Sequence, residues 1–259
     1  MTSNTQTDST LIFEYPAKPQ VRSFLRLESL FKRFERNRLA THPDNHLFAL
    51  KILLEIVEIL EHGDTRSELT KELARLSEQF SILRKNPEVD VKKLDTFLVQ
   101  INQLKDWVFG YEGRFGEKIR KHPFIENVRY RTSIPGGYCQ FDCPELFLFL
   151  NKEYSERQQL LLNWLENIKG IKTSVEVILK LLRDTTKWQH QEAPMGTFLI
   201  EATDPPFQLI RVKLEKTLHI FPEFSVGKHR STIIFKSFNQ DYKKIPQQKQ
   251  VPFELACCH

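Results

Sequence analysis

No apolar run in this chain approaches the roughly 20 residues needed to cross a bilayer, so a membrane span is not expected. Its first ten residues, MTSNTQTDST, are polar, which excludes a hydrophobic secretory leader from the reading. Cysteine is sparse: four in 259 residues read as reduced thiols of a cytoplasmic protein and not as a disulfide framework. Catalytic signatures are missing too. There is no glycine-rich phosphate loop ending in Lys-Ser/Thr, no dinucleotide fingerprint, no His-Glu-x-x-His and no Gly-x-Ser-x-Gly elbow. An enzyme is therefore not expected, and neither is a cofactor. No internal repeat or low-complexity tract is visible, and Lys243 to Gln250 is the only linker-like stretch.

What is present is a helical body followed by a cationic β module. A net charge of +5 leaves an acidic partner plausible without demanding one. Up to about residue 190 the apolar residues recur every three or four positions, and beyond it they alternate. Thr10 to Tyr15 is β-prone and closed by Pro16. Val21, Phe24, Leu27, Phe31 and Phe34 then mark a helix crowded with Arg22, Arg26, Lys32, Arg33, Arg36 and Arg38 against only Glu28 and Glu35. Asn45 to His62 is nearly continuously apolar and reads as a buried helix that Gly63 ends.

Thr65-Arg66-Ser67-Glu68 fits a capping box, and Leu69, Leu73, Leu76, Phe80 and Leu83 follow at steps of four and three. Pro87 breaks the chain. Asp90 is placed to cap a return helix carrying Leu94, Phe97, Ile101, Leu104 and Val108, so an antiparallel hairpin is expected, with a coiled-coil-like seam that packs internally or against a second subunit. A short basic helical region follows. Ser133 to Gly137 reads as a turn in which two glycines supply positive φ. Pro144 to Leu150 is expected as a short buried helix, followed by helices over Ser155–Asn167 and Ile171–Lys187. Strands are expected over Thr197–Ala202, Phe207–Glu215, His229–Phe238 and Val251–Ala256; in the second, Ile210, Val212 and Leu214 face opposite to Arg211 and Lys213.

Cys139, Cys143, Cys257, Cys258 and His259 could together offer zinc ligands, but a vicinal cysteine pair strains tetrahedral geometry and buried thiols are commoner, so no metal is expected. The scattered histidines adjoin no obvious nucleophile. The basic residues are the stronger candidates. Between Arg211 and Lys249 nine cations stand against three carboxylates. With the first helix this makes two cationic surfaces, which favours recognition of an acidic segment over a merely solvated face. A nucleic acid is not the expected partner, because no aromatic platform interleaved with basic residues is evident on a strand.

Ser133-Ile134-Pro135-Gly136-Gly137, followed by Cys139, Phe141, Asp142 and Pro144, resembles the central block of the ZapD family of bacterial cell division proteins. Phe253 to Cys258 is similar to that family's C-terminus, and Phe13-Glu14-Tyr15-Pro16, Leu25-Arg26-Leu27-Glu28 and Arg66-Ser67-Glu68-Leu69 match as well. The resemblance implies an α+β protein: a mainly α-helical domain over residues 17–190 that dimerises, and a smaller antiparallel β domain over 191–259 that binds the partner. Residues 1–16 contribute an N-terminal strand joining the β domain. It further implies a cytoplasmic homodimer at the mid-cell Z ring that binds the C-terminal tail of the tubulin-like GTPase FtsZ, bundles its protofilaments and lowers its GTPase activity. The partner-binding positions implied are Arg22, Arg26, His62, Arg66, Lys228, His229, Arg230 and Lys236. Two positions depart from the pattern: His62 and Ile234 stand where relatives can carry Arg, and Lys236 or Lys243 would compensate.

Overall fold

A computed structural model describes residues 9–84, 91–184, 186–227 and 230–259, with the side chains of 91 and 93 outside that set. The chain divides into two compact units. One comprises Ser23–Leu179; the other comprises the described residues up to Arg22 together with Lys180–His259.

The Ser23–Leu179 unit is helical among its described residues. It contains most of α1 (Pro19–Leu39), then α2 (Pro43–His62), α3 (Thr65–Leu83), α4 (Val91–Gly110), α5 (Glu117–Arg120), α6 (Pro123–Thr132), α7 (Pro144–Leu150), α8 (Tyr154–Glu166) and most of α9 (Lys169–Asp184). The three-to-four spacing of α1 buries Phe24, Leu27, Phe31 and Phe34. In α2 the near-continuous apolar run buries Ala49, Leu50, Leu53, Ile56, Val57 and Leu60, and its N-terminus is capped by the His42 ring accepting from the Asp44 amide. Each fully buried Phe or Leu of this kind contributes about 1.5–3 kcal/mol relative to exposure.

Helices α3 and α4 form the expected antiparallel pair. Phe80 stacks on Phe97 at 6.3 Å, Ser77 meets Asn102, and Arg84 pairs with Asp95. Leu69, Leu73 and Leu76 are buried, as are Leu94, Ile101, Leu104 and Val108, so this seam is satisfied within the chain. Its connector, including Pro87 and the proposed cap Asp90, lies outside the described residues.

Three local expectations change. The capping box does not form: Asp64 is the N-cap, and the buried Thr65 Oγ1 and Glu68 Oε2 have no hydrogen-bond partner among the described residues. Only Gly136 of the Gly136-Gly137 pair has positive φ, at 75°. Gly137 is needed for space instead, because a Cβ there would collide with the Arg131 carbonyl. Helix α7 buries only Leu146 and Phe149 and leaves Phe147 and Leu148 exposed.

The second unit is antiparallel β. β4 (Leu209–Glu215) lies between β1 (Thr10–Pro16) and β8 (Val251–Cys258), and β2 (Gln189–Ala193) completes the sheet beyond β8. In the second sheet β6 (Arg230–Phe238) runs between β3 (Thr197–Glu201) and β5 (Phe221–Val226), and β7 (Lys244–Pro246) extends it. Their inner faces share one core: Ile210, Val212, Leu214, Phe253 and Leu255 meet Ile200, Ile233 and Phe235. Phe235 and Phe253 lie 4.9 Å apart. The N-terminal strand thus belongs to the β unit by direct pairing, Glu14 opposite Arg211.

Strands β2, β5 and β7 were not expected. β2 reads QHQEA, with no apolar alternation, because it is an edge strand with one face in solvent. β5 contains Pro222, which argues against a central strand but is tolerated at an edge. β7 falls inside the segment that reads as a linker.

Candidate functional site

The cations of the two surfaces fall into two classes, those already neutralised and those that are not. On α1, Lys32 pairs with Glu28 at 3.1 Å and Arg38 with Glu35 at 2.7 Å, so both acidic residues of the helix are occupied by a neighbour one turn away. Arg22, Arg26, Arg33 and Arg36 are exposed, and among the described residues none of them pairs with a carboxylate. Arg22 lies over the Tyr15 ring, 5.6 Å from its centroid.

In the β unit much of the positive excess counted from sequence is cancelled. Arg211 Nε donates to Glu14 Oε1 at 2.9 Å, and Arg183 grips the same carboxylate at 2.8 and 2.7 Å. Lys213 donates to Glu254 at 2.8 Å, and Arg211 and Lys213 both sit over the Trp188 ring, at 4.8 and 5.0 Å. Lys236 and Lys244 share Glu223 at 2.6 and 2.7 Å. Hydrogen bonds from these two lysines hold the Glu223 carboxyl below its ordinary pKa.

The expected partner-binding residues separate accordingly. Arg26 is exposed on α1, and Arg230 is exposed at the start of β6, across from Glu201. Lys236 lies on the same face of β6 as Arg230 but is half-buried against Glu223. His62, the last residue of α2, is exposed and uses Nδ1 to donate to the Glu58 carbonyl at 2.9 Å. Arg66 is engaged inside its own unit: Nη2 donates to the carbonyls of Tyr111 and Gly113, at 2.8 and 2.6 Å, and the guanidinium covers the Phe115 ring at 4.9 Å. It therefore fastens the loop after α4 to the start of α3. Lys228 and His229 lie outside the described residues.

One feature was missed. Alternation along β6 puts Lys236 and Phe238 on one face, and Phe221 and Tyr242 join Phe238 at 4.9 and 5.9 Å. Phe238 is 50% exposed and Tyr242 83%. Lys244 reaches over Phe221 at 5.9 Å. An aromatic ledge flanked by lysines does exist on this strand, contrary to the sequence expectation. Its signal was present in the Lys-Ser-Phe ending of the strand, but the partner rings come from β5 and the β6–β7 turn. The Glu223 carboxylate shared by its two lysines opposes a phosphate backbone and leaves the ledge chiefly apolar.

Among the described residues no group of three or more His, Cys, Asp or Glu could hold a metal ion. Cys143 and Cys258 are buried, Cys257 is partly buried, and burial with the neighbouring Cys258 pushes its thiol up to about 11. No described helix is long and apolar enough to cross a membrane.

The family model described as "ZapD: Cell division protein" matches residues 25–234. A protein named Cell division protein ZapD from Pectobacterium atrosepticum is 33% identical over 250 residues, covering 96% of this chain and 98% of its own. One of the same name from Photorhabdus laumondii is 31% identical over 252 residues, covering 97% and 99%. Another from Azoarcus sp. is 29% identical over 246 residues, covering 95% and 98%.

Proposed function

Since this chain belongs to the ZapD family of cell division proteins, we propose that it binds the C-terminal tail of FtsZ, bundles FtsZ protofilaments, lowers their GTPase activity and so strengthens the Z ring at mid-cell. The observation that carries this reading is the set of exposed cations with no carboxylate partner among the described residues: Arg22 and Arg26 on α1, and Arg230 on β6. Cations already paired within a fold cost as much to free as they return on binding, whereas unpaired ones are available to an acidic chain. His62 and Lys236 contribute less, the first through its ring edge and the second after release from Glu223. Within the β unit, the ledge of Phe221, Phe238 and Tyr242 offers apolar contact for a tail whose charges Arg230 steers.

Bundling requires at least two tails to be held at once. A twofold dimer provides that number without any second type of site. Weak single contacts then add through effective concentration along a filament. The helical unit is the part we assign to dimerisation, and the partner-binding cations are assigned to α1 and to the β unit. Support for the first comes from apolar side chains left exposed on the α3–α4 pair, where Ile82 is 61% exposed, Val99 56% and Phe109 86%. Cosedimentation with FtsZ filaments tests the reading. Bundled FtsZ should decline as salt rises, because exposed charges are screened over about 8–10 Å. Pelleting that is independent of salt would contradict the electrostatic part.

A further inference from the structure

The partner contact proposed above uses only Arg26 of the longest row of unneutralised charge on the helix. Arg26, Ser29, Arg33 and Arg36 follow one another at steps of three, four and three, which places them within an arc of about 80° on one face of α1. All four are exposed, while Leu27, Leu30, Phe31 and Phe34 fill the buried face. The helix's own carboxylates cannot neutralise the row, because Glu28 is turned to Lys32 and Glu35 to Arg38. From Arg26 to Arg36 the row is about 15 Å long, at about 1.5 Å per residue.

We propose that this face is a linear track for an extended run of carboxylates in the partner polypeptide, with Arg33 and Arg36 gripping acidic residues adjacent to the segment held at Arg26. The inference rests on the reading that the partner is an FtsZ tail. The dimensions suit such a ligand: about five residues of extended chain cover 15 Å at about 3.3 Å each. Guanidinium groups take carboxylates in paired, planar hydrogen bonds, which favours arginine over lysine for this task. From Arg26 to Arg36 the row itself contributes no ring for a base to stack on, since Ser29 is the residue between the first two arginines, so an acidic peptide fits it better than a single-stranded nucleic acid.

The test is fluorescence anisotropy on the full chain with two probes, an FtsZ tail peptide and the same peptide carrying six glutamates at its amino-terminal end. Wild type should bind the extended probe about fivefold tighter than the plain one, as expected for two or three exposed charge pairs. Arg33→Glu/Arg36→Glu should bind the two probes equally while holding the plain peptide as wild type does. Arg33→Ala/Arg36→Ala, checked by circular dichroism, serves should the reversed charges disturb the helix. A charge-matched control, Lys71→Glu/Lys180→Glu, should keep the gain.

The track is overturned if the extension adds nothing in wild type, if the Arg33/Arg36 variants retain the gain, or if the control loses it equally. An oligothymidylate that binds more tightly than the extended peptide, and depends on Arg33 and Arg36, would also overturn the assignment to a peptide. Should the plain peptide fail to bind while the extended one binds through Arg33 and Arg36, the track stands and the FtsZ-tail reading falls. If neither peptide binds, both fall.

Discussion

Arg157 Nε donates a 2.9 Å hydrogen bond to His46 Nδ1 inside the helical unit, two residues 111 positions apart in sequence. The acceptor role of Nδ1 fixes the neutral tautomer, whose Nε2–H then donates to the Arg38 carbonyl at 3.1 Å. The same guanidinium donates to the carbonyls of Thr41, Leu150 and Lys152, so one buried cation ties the α1–α2 turn to the α7–α8 turn. The Tyr154 ring stacks on His46 at 5.6 Å.

A pH dependence follows from that bond. Burial first, and the Arg157 charge with it, lower the His46 pKa below its ordinary value of 6.5, against an opposing hydrogen bond to the Arg38 carbonyl. The unfolded chain therefore takes up this proton more readily than the folded one. The contribution is complete above about pH 6.5 and is lost as pH falls through the folded-state value. Denaturation midpoints measured at pH 7.5 and 5.5 should fall more for wild type than for His46→Gln. Parallel pH profiles would show that His46 is not the group responsible.

Glu14 should matter far more than an ordinary strand glutamate. It accepts from both Arg183 and Arg211, and the three side chains are 19%, 18% and 13% exposed. Glu14→Gln removes the negative charge that two poorly solvated cations share, and a loss of about 2–3 kcal/mol is expected in urea unfolding. A change below about 0.5 kcal/mol would mean that water already screens the cluster.

Arg66→Ala separates a structural role from a binding one. Its two hydrogen bonds to the loop carbonyls, with the contact to Phe115, lead us to expect a stability loss of about 1–2 kcal/mol. Affinity for an FtsZ tail peptide should stay within about twofold of wild type. Weakened binding at unchanged stability would return Arg66 to the partner-binding set.

For the aromatic ledge the pattern is reversed. Phe238 and Tyr242 are exposed, so Phe238→Ala/Tyr242→Ala should shift stability by no more than about 1 kcal/mol. Tail-peptide affinity should drop about fivefold or more, because apolar anchors supply much of the affinity that charges only steer. Unchanged affinity would remove the ledge from the site.

Elements governed by local periodicity could be read from the sequence. Leu69, Leu73 and Leu76 against Leu94, Ile101 and Leu104 gave the α3–α4 pair, and the alternation of Ile210, Val212 and Leu214 gave β4 its two faces. Where the outcome depends on residues far apart in the chain, the sequence was a poor guide. Counting charges between Arg211 and Lys249 overstated the cationic surface, because Glu14 and Glu254 lie outside that window yet neutralise Arg211 and Lys213. Edge strands escaped for a related reason: β2 and β5 need only one paired side, so polar residues and Pro222 are tolerated where a central strand would exclude them. At the start of α3 the Thr65–Glu68 pattern met its spacing rule, but the helix begins one residue earlier than a Thr65 cap requires.

Whether unpaired arginines hold an acidic tail is decided by the affinity of a fluorescent FtsZ tail peptide for Arg26→Glu/Arg230→Glu. A loss of more than about tenfold relative to wild type is expected, with the circular dichroism spectrum unchanged. Affinity retained within about twofold by a fully folded variant would contradict it.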